Sequence, residues 1–467
     1  MRQLFFIISL FTLATIQWQC TQDVWSVEKF GAVADGVTVN TEAIQQTIDA
    51  CHEAGGGVVV LESGVYLSGT ILLKDNVTLE VRSEATLRGT TNPLDYICVD
   101  EFVDATGQRR GECLVGARDA KNIGIIGNGT IDGDGEHFKV NLTRKRLQEL
   151  GATQEQIKQS SGTRPFLLRF VRSEAVTLNN INLRQPAAWT CHFFQCKDIV
   201  VKGVSIYAHD NQNNDGIDLD SCTGANITDC DIDTGDDAMC FKTTSPMPCQ
   251  DVYVANCKLK SHWGAIKFGT ESMGDFRNIK VENCEVYDTQ GGGIKVLSVD
   301  GANIENVRID NINMTNVDMP IFVRLGERLR TYRDAKEQTV GSISGLYLTN
   351  ITATTRSCEE SRVNPPSGIF ITGTPNTKIK HVQLSNIEVK LPGGGSAEDS
   401  EIVVAEDEKR YPEFSFFGTL PAYGLNARHI ELLEIEDVSF QLTGEDQRET
   451  YKISDVNQVT QYPSLKE

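Results

Sequence analysis

The sequence predicts an all-β chain, a parallel β-solenoid plugged at its N-terminal end by one helix. Three observations predict it. A short strand–bend–strand pattern occurs eight times, cysteines recur at one repeat position, and a single amphipathic segment precedes the repeats.

The pattern is apolar, any, apolar, any, Asn or a small polar residue, apolar or Cys, any, apolar. It reads Val176-Thr-Leu-Asn-Asn180-Ile-Asn-Leu183, and its later bends fall at Gly203, Asp229, Asn256, Asn283, Asn311, Asn350 and Asn386. Alternation of period two is a strand with one buried face. Asn and Asp suit the bend because they tolerate left-handed backbone and bond neighbouring amides. The bends recur at nearly even intervals up to Asn311 and at wider ones after it. A coil this size cannot bury its own face, so the coils stack and like positions lie about 4.8 Å apart.

Cys230, Cys257 and Cys284 are evenly spaced at one repeat position. They are expected as a stack of buried thiols, not as bridges. Cys222, Cys240 and Cys249 fall outside that position, and their pairing stays open. Ahead of the repeats, Ala43, Ile44, Ile48 and Cys51 follow helical spacing between a capping Asn40 and Gly55–Gly57. This is the expected plug. A charged, helix-favouring excursion at 136–163 and a Gly-rich, then acidic one at 393–412 interrupt the coils. Residues 21–467 read as one domain.

With 40% hydrophobic and 23% charged residues among 467, the chain supports a packed core, which excludes wholesale disorder. The net charge is 44 − 64 = −20, which argues against a nucleic-acid partner. At the start, Arg2 and the apolar run Leu4–Ile16 read as an export signal over residues 1–20. The run falls short of the roughly 20 residues of a membrane span, and no later stretch is long and apolar enough. The expected location is periplasmic, outer-membrane-associated or extracellular, with bacterial features. Cys20 leaves a lipid anchor open, although Gln19 suits a lipobox poorly. Oligomeric state is not legible.

The chemistry lies in acidic turns. Asn213-Asn214-Asp215-Gly216 ends one coil, Gly235-Asp236-Asp237 the next, and Ser261-His262-Trp263-Gly264 follows one coil later. Stacking brings Asp215, Asp236, Asp237 and His262 to one outer face. Crowded carboxylates split their pKa values, which yields a proton donor and a base from one residue type. Glycosidic hydrolysis needs that pair. A calcium site or solvated turns is the competing reading.

These motifs resemble those of glycoside hydrolase family 28, the polygalacturonases and their pectin-degrading relatives. The family's Asn-Thr-Asp is matched by Asn213-Asn214-Asp215, its Gly-Asp-Asp by Gly235-Asp236-Asp237, and its Gly-His-Gly by His262 alone, with Gly264 nearby. Lys29–Gly36, Gly127–Gly133, Arg164-Pro165 and Pro186–Trp189 are similar to family segments too. The resemblance implies a single-stranded, right-handed parallel β-helix and an inverting hydrolysis with no metal or cofactor. It implies Asp236 as general acid, Asp215 and Asp237 as holders of the water, and His262 bonded near the acid. The implied substrate is a galacturonate-containing pectic poly- or oligosaccharide, with Asn213 in the binding motif.

The chain departs from the family at Gly292-Gly293-Ile294-Lys295, where the family's uronate-reading Arg-Ile-Lys keeps Lys295 but has Gly293 for Arg. Replacement charge is expected from Lys267 and from Arg324, Arg328 and Arg330. Trp189, His192 and Trp263 are expected at the cleft as sugar-stacking rings. A wall formed by residues 136–163 would favour attack from a chain end. The alternatives are a rhamnogalacturonan-type or neutral linkage, a Ca²⁺-dependent lyase, and a glycan-binding β-helix without catalysis.

Overall fold

All eight bend residues adopt left-handed backbone, with φ between 51° and 63°. The Asn and Asp at these positions turn the chain while their side chains bond across coils. Asn311 Nδ2 donates to Asn283 Oδ1 and Asn386 Nδ2 to Asn350 Oδ1, each at 2.7 Å. In this computed structural model, which describes residues 23–333 and 335–462, the coils stack as a parallel β-helix. The expected signal at 1–20, with Cys20, lies outside the described residues. No described helix is long and apolar enough to cross a membrane.

Register is continuous from coil to coil. Val176, Ile199, Ala225, Val252, Ile279, Val307, Leu346 and Val382 pair in one inward ladder, and all are buried. Each large aliphatic member contributes about 1.5–3 kcal/mol by leaving water. Cys230, Cys257 and Cys284 are buried free thiols as expected. The register Lys197↔Thr223↔Gln250 builds a second stack from Cys196, Cys222 and Cys249, also buried and free. Cys240 stands apart and donates to Gly269 O at 3.0 Å. The open pairing of Cys222, Cys240 and Cys249 therefore closes on thiols.

The helix Thr41–Glu53 buries Ile44, Thr47, Ile48 and Cys51 against the first coils. Asn40 precedes it but makes no side-chain cap. Its amide clasps the preceding loop, accepting from Val33 N at 2.6 Å and donating to Val33 O and Thr38 O. The first excursion folds into helices Val140–Glu149 and Gln154–Ser160, the second closed by a Thr153–Gln156 capping box. The 393–412 excursion crosses the outer face of the later coils. Arg324 and Arg428 hold its carbonyls at Glu406 and Ala405.

Among the described pairings, one is antiparallel: Ile97–Val103 with Arg109–Arg118. Its turn leaves the helical path and projects Asp104–Gln108 over the neighbouring coils. Asp104 Oδ1 accepts from Thr106 N and Gln108 N, which tightens the turn.

Candidate active site

One face of the β-helix stacks the strands Cys191–Phe194, Ile217–Asp220, Met239–Thr243, Ile266–Ser272 and Ile294–Ser298. Ile217, Met239, Ile266 and Ile294 point inward. Period two then turns Asp218, Cys240, Lys267 and Lys295 to the opposite side as one row. The residues just upstream form a second row, because Thr190 N bonds Asp215 O, Gly216 N bonds Asp237 O and Ala238 N bonds Gly264 O. Thus Trp189, Asp215, Asp237 and Gly264 lie side by side on consecutive coils.

The three aspartates converge on a narrow cavity of about 40 Å³. Its other lining groups include Trp189, Asn213, Lys242, Lys267, Glu271 and Tyr411, and the turn Asp104–Thr106 forms a wall. Each carboxylate has a different environment. Asp237 Oδ2 takes Lys267 Nζ at 2.6 Å and its Oδ1 takes Gly264 N at 3.0 Å. Lys242 Nζ lies 3.2 Å from Asp215, 3.5 Å from Asp218 and 3.4 Å from Glu271. Asp236 has no lysine. Its Oδ1 accepts from Asp237 N at 2.9 Å and its Oδ2 from Asn213 Nδ2 at 3.4 Å. Asn213 is oriented for this by Arg110 and Arg164, which both donate to its Oδ1, at 3.0 and 2.8 Å.

The protonation pattern follows these contacts. Burial, then the charges of Asp215 and Asp237, push Asp236 well above the usual carboxylate range. Burial also raises Asp237, but Lys267, Lys295 and Lys242 outweigh it and hold that carboxyl low. Asp215 lies between, pushed by burial and pulled back by Lys242, at about 6. Buried Asp218 is driven well above its usual range by burial and by Asp215. The site thus holds a neutral acid beside ionisable bases.

Several expected substrate contacts are used internally. Both oxygens of Glu413 bind Lys295 Nζ, at 2.6 and 2.7 Å. Arg324 is buried, its guanidinium donating to Thr372 Oγ1, Gly373 O and Glu406 O. Arg328 is spent on Asp300, Thr270 O and Tyr332. Arg330 bonds the carbonyl of Ala105 and so pins the wall. His192 is buried between Arg169 and Asp220, and burial with Arg169 pushes it down to about 3, so it is not a cleft residue. Trp189 reaches the cavity as a floor. Phe166 stacks on it at 5.2 Å and Lys242 Nζ lies 4.5 Å from its centroid, which leaves no free face for a sugar.

His262 lies at the rim. Its ring packs on His209 at 4.9 Å instead of bonding Asp236. Trp263 is half-buried beside it, under the guanidinium of Arg362 at 3.9 Å. Gly293 is not a vacated outward position. It lies inward, in register with Ala265 and Pro320, and a Cβ there would meet Met314 Sδ at 2.5 Å. Gly264 is required because a Cβ would lie 2.9 Å from Lys295 Cδ. The 136–163 excursion does not line the cavity; the Asp104–Thr106 turn takes that place. Sequence reasoning missed Lys242, Asp218, Glu271, Tyr411, Glu413 and Arg362. Lys242 was findable, being one strand alternation beyond Cys240.

Residues 57–406 match the family "Glycosyl hydrolases family 28". The chain is 25% identical over 291 residues to a probable polygalacturonase of Vitis vinifera, covering 58% of this chain and 57% of the relative. It is 27% identical over 304 residues to an exo-poly-alpha-D-galacturonosidase of Dickeya chrysanthemi, covering 56% and 50%. The chain therefore spans about half the length of these curated relatives. The solved structure of a hyperthermoactive exopolygalacturonase from Thermotoga maritima superposes with a TM-score of 0.69 at 21% identity, covering 90% of this chain and 92% of that one. That likeness is one of fold.

Proposed function

This chain belongs to glycosyl hydrolases family 28, and from that premise we propose that it hydrolyses galacturonate-containing pectic glycan from a chain end, with inversion. The observation that carries the reading is the unequal pairing of three carboxyls. Asp215 and Asp237 each face a lysine, and Asp236 faces none. Asp236 keeps its proton and is the general acid. It delivers that proton to the glycosidic oxygen as the C–O bond breaks. Asp215 and Asp237, with carboxylate oxygens within 4.8 Å of each other, hold one water and take its proton as its oxygen attacks the anomeric carbon.

The lysines also weigh against a calcium-dependent lyase, because Lys242 and Lys267 hold the oxygens that a cation would need. Attack from a chain end is supported by the wall at Asp104–Thr106. Arg110 fixes the wall at Asp104 (2.8 Å), and Glu271 fixes it at Ala105 N (2.9 Å).

The test is product analysis on polygalacturonate and rhamnogalacturonan oligosaccharides without Ca²⁺, with Asp236→Asn beside the unaltered protein. Free galacturonate of inverted anomeric configuration is expected, falling at least about 10²-fold in the variant. Full turnover by Asp236→Asn would overturn the reading.

A further inference from the structure

We infer that Arg362, laid on the face of Trp263, binds the carboxylate of the sugar on the leaving-group side of the cut bond. This rests on Asp236 being the acid of the reaction.

The site's own charge creates the need. Asp215, Asp218, Asp236, Asp237, Glu271 and Glu413 surround Lys242, Lys267 and Lys295. Even with Asp218 and Asp236 protonated, carboxylates outnumber ammoniums. Every lysine is already paired, so an acidic sugar finds no unspent cation on the floor. Of the nearby arginines, Arg110 is committed to Asp104 and Asn213, Arg164 to Asn213 and Gln212 O, and Arg328 to Asp300, while Arg330 is exposed and bonds the wall at Ala105 O.

Arg362 differs. It is exposed, and where Arg164 holds Asn213 and Arg330 holds the wall, Arg362 lies against Trp263 and His262 with no ion pair among the described residues. It is held in place all the same. Its backbone N–H donates to Asp318 Oδ2 at 3.0 Å, its Nη2 donates to His262 O at 2.8 Å, and its guanidinium carbon lies 3.9 Å from the Trp263 centroid. Among the described residues its side chain makes one hydrogen bond, which leaves the rest of the planar fork for a ligand. A guanidinium fixed on an aromatic face loses little freedom when it takes a carboxylate in two parallel bonds.

Its position gives the side. Segment 356–368 precedes strand Ile369–Thr372 and reaches back three coils to His262 and Trp263. His262 and Trp263 lie one coil beyond Asp236, on the side away from Trp189. A sugar chain that runs along the coils from Trp189 past Asp236 meets Arg362 next. The charges of Glu413, Asp318 and Asp236 act on Arg362, which places it near this same site.

The experiment compares Arg362→Gln and Arg362→Lys on trigalacturonate and on its methyl ester. Losing a charge-assisted pair should lower kcat/KM on the free acid by about 10–100-fold, with Lys intermediate. The ester should change less than about threefold, since it offers no charge to lose. Equal loss on both substrates, or no loss on either, overturns the inference. A second readout is oligogalacturonate affinity in the Asp236→Asn background. There Arg362→Gln should weaken binding by the same factor, and unchanged affinity overturns the inference. If Asp236→Asn itself turns over fully, the functional reading fails, whatever the affinity shows.

Discussion

Lys267 Nζ lies 2.6 Å from Asp237 Oδ2, and this contact decides which carboxyl in the site stays ionised. Without it, burial would push Asp237 upward, since burial is the largest influence on that group. Lys267→Met should therefore raise the Asp237 pKa and leave the water with a weaker base. We expect kcat to fall about 10²-fold near pH 7 and further at pH 5, where more of Asp237 would be protonated. Steady-state assays at the two pH values check this; an equal loss at both would separate the lysine from Asp237's ionisation.

The activity should follow a bell-shaped pH profile. The acid limb reports ionisation of Asp215, at about 6, and the alkaline limb reports loss of the proton from Asp236, well above the usual range. Lys242 pulls Asp215 down strongly and Asp236 weakly, so Lys242→Met should move the acid limb to higher pH and the alkaline limb the same way by less. Profiles of kcat/KM for both proteins test the assignment. An unmoved acid limb would take it from Asp215.

How much of this could be read in the sequence depended on distance along the chain. The bends at Asn180 to Asn386 and the stack Cys230–Cys257–Cys284 were legible, because each coil repeats the pattern of the one before it at a nearly constant spacing. The clustering of Asp215, Asp236 and Asp237 followed from that period. The cationic side did not. Lys295 meets Glu413 across 118 residues, and Arg324 meets Glu406 across 82. These two contacts come from a strap that obeys no repeat, and the Arg330 contact to Ala105 O spans 225 residues, so these side chains looked available when they were already used. Gly293 misled for another reason. Motif matching ignores parity, and that position faces inward.

Removing the acid should stabilise the fold at high pH. Asp236 has its folded pKa raised above the unfolded value near 3.8. The folded state thus binds the proton more tightly, and stability is lost as pH rises above 3.8, reaching its full loss above the folded pKa. Asp236→Asn keeps the shape and removes that loss. Its melting temperature should match the unaltered protein at pH 4 and exceed it at pH 8 by on the order of 1–3 °C. Calorimetry at both pH values tests the sign; a lower melting temperature at pH 8 would show that the ionised carboxylate is a structural asset.

The wall at Asp104–Thr106 should decide product length. It leaves the β-helix on the one antiparallel pair among the described strands and is held from the far side by Arg330 on Ala105 O and by Tyr332 packed against Ala105. These ties come from a segment far along the chain, so they hold the turn without touching the three aspartates. Arg330→Ala should loosen the wall and let a chain thread past it. The early products from polygalacturonate should then shift from monomer toward dimer and trimer, while kcat on digalacturonate changes less than about threefold, since the groups that move protons are untouched. Shortening the turn by deleting Thr106 and Gly107 should produce the same shift more strongly. Monomer as the sole early product from both variants would show that something other than this turn closes the site.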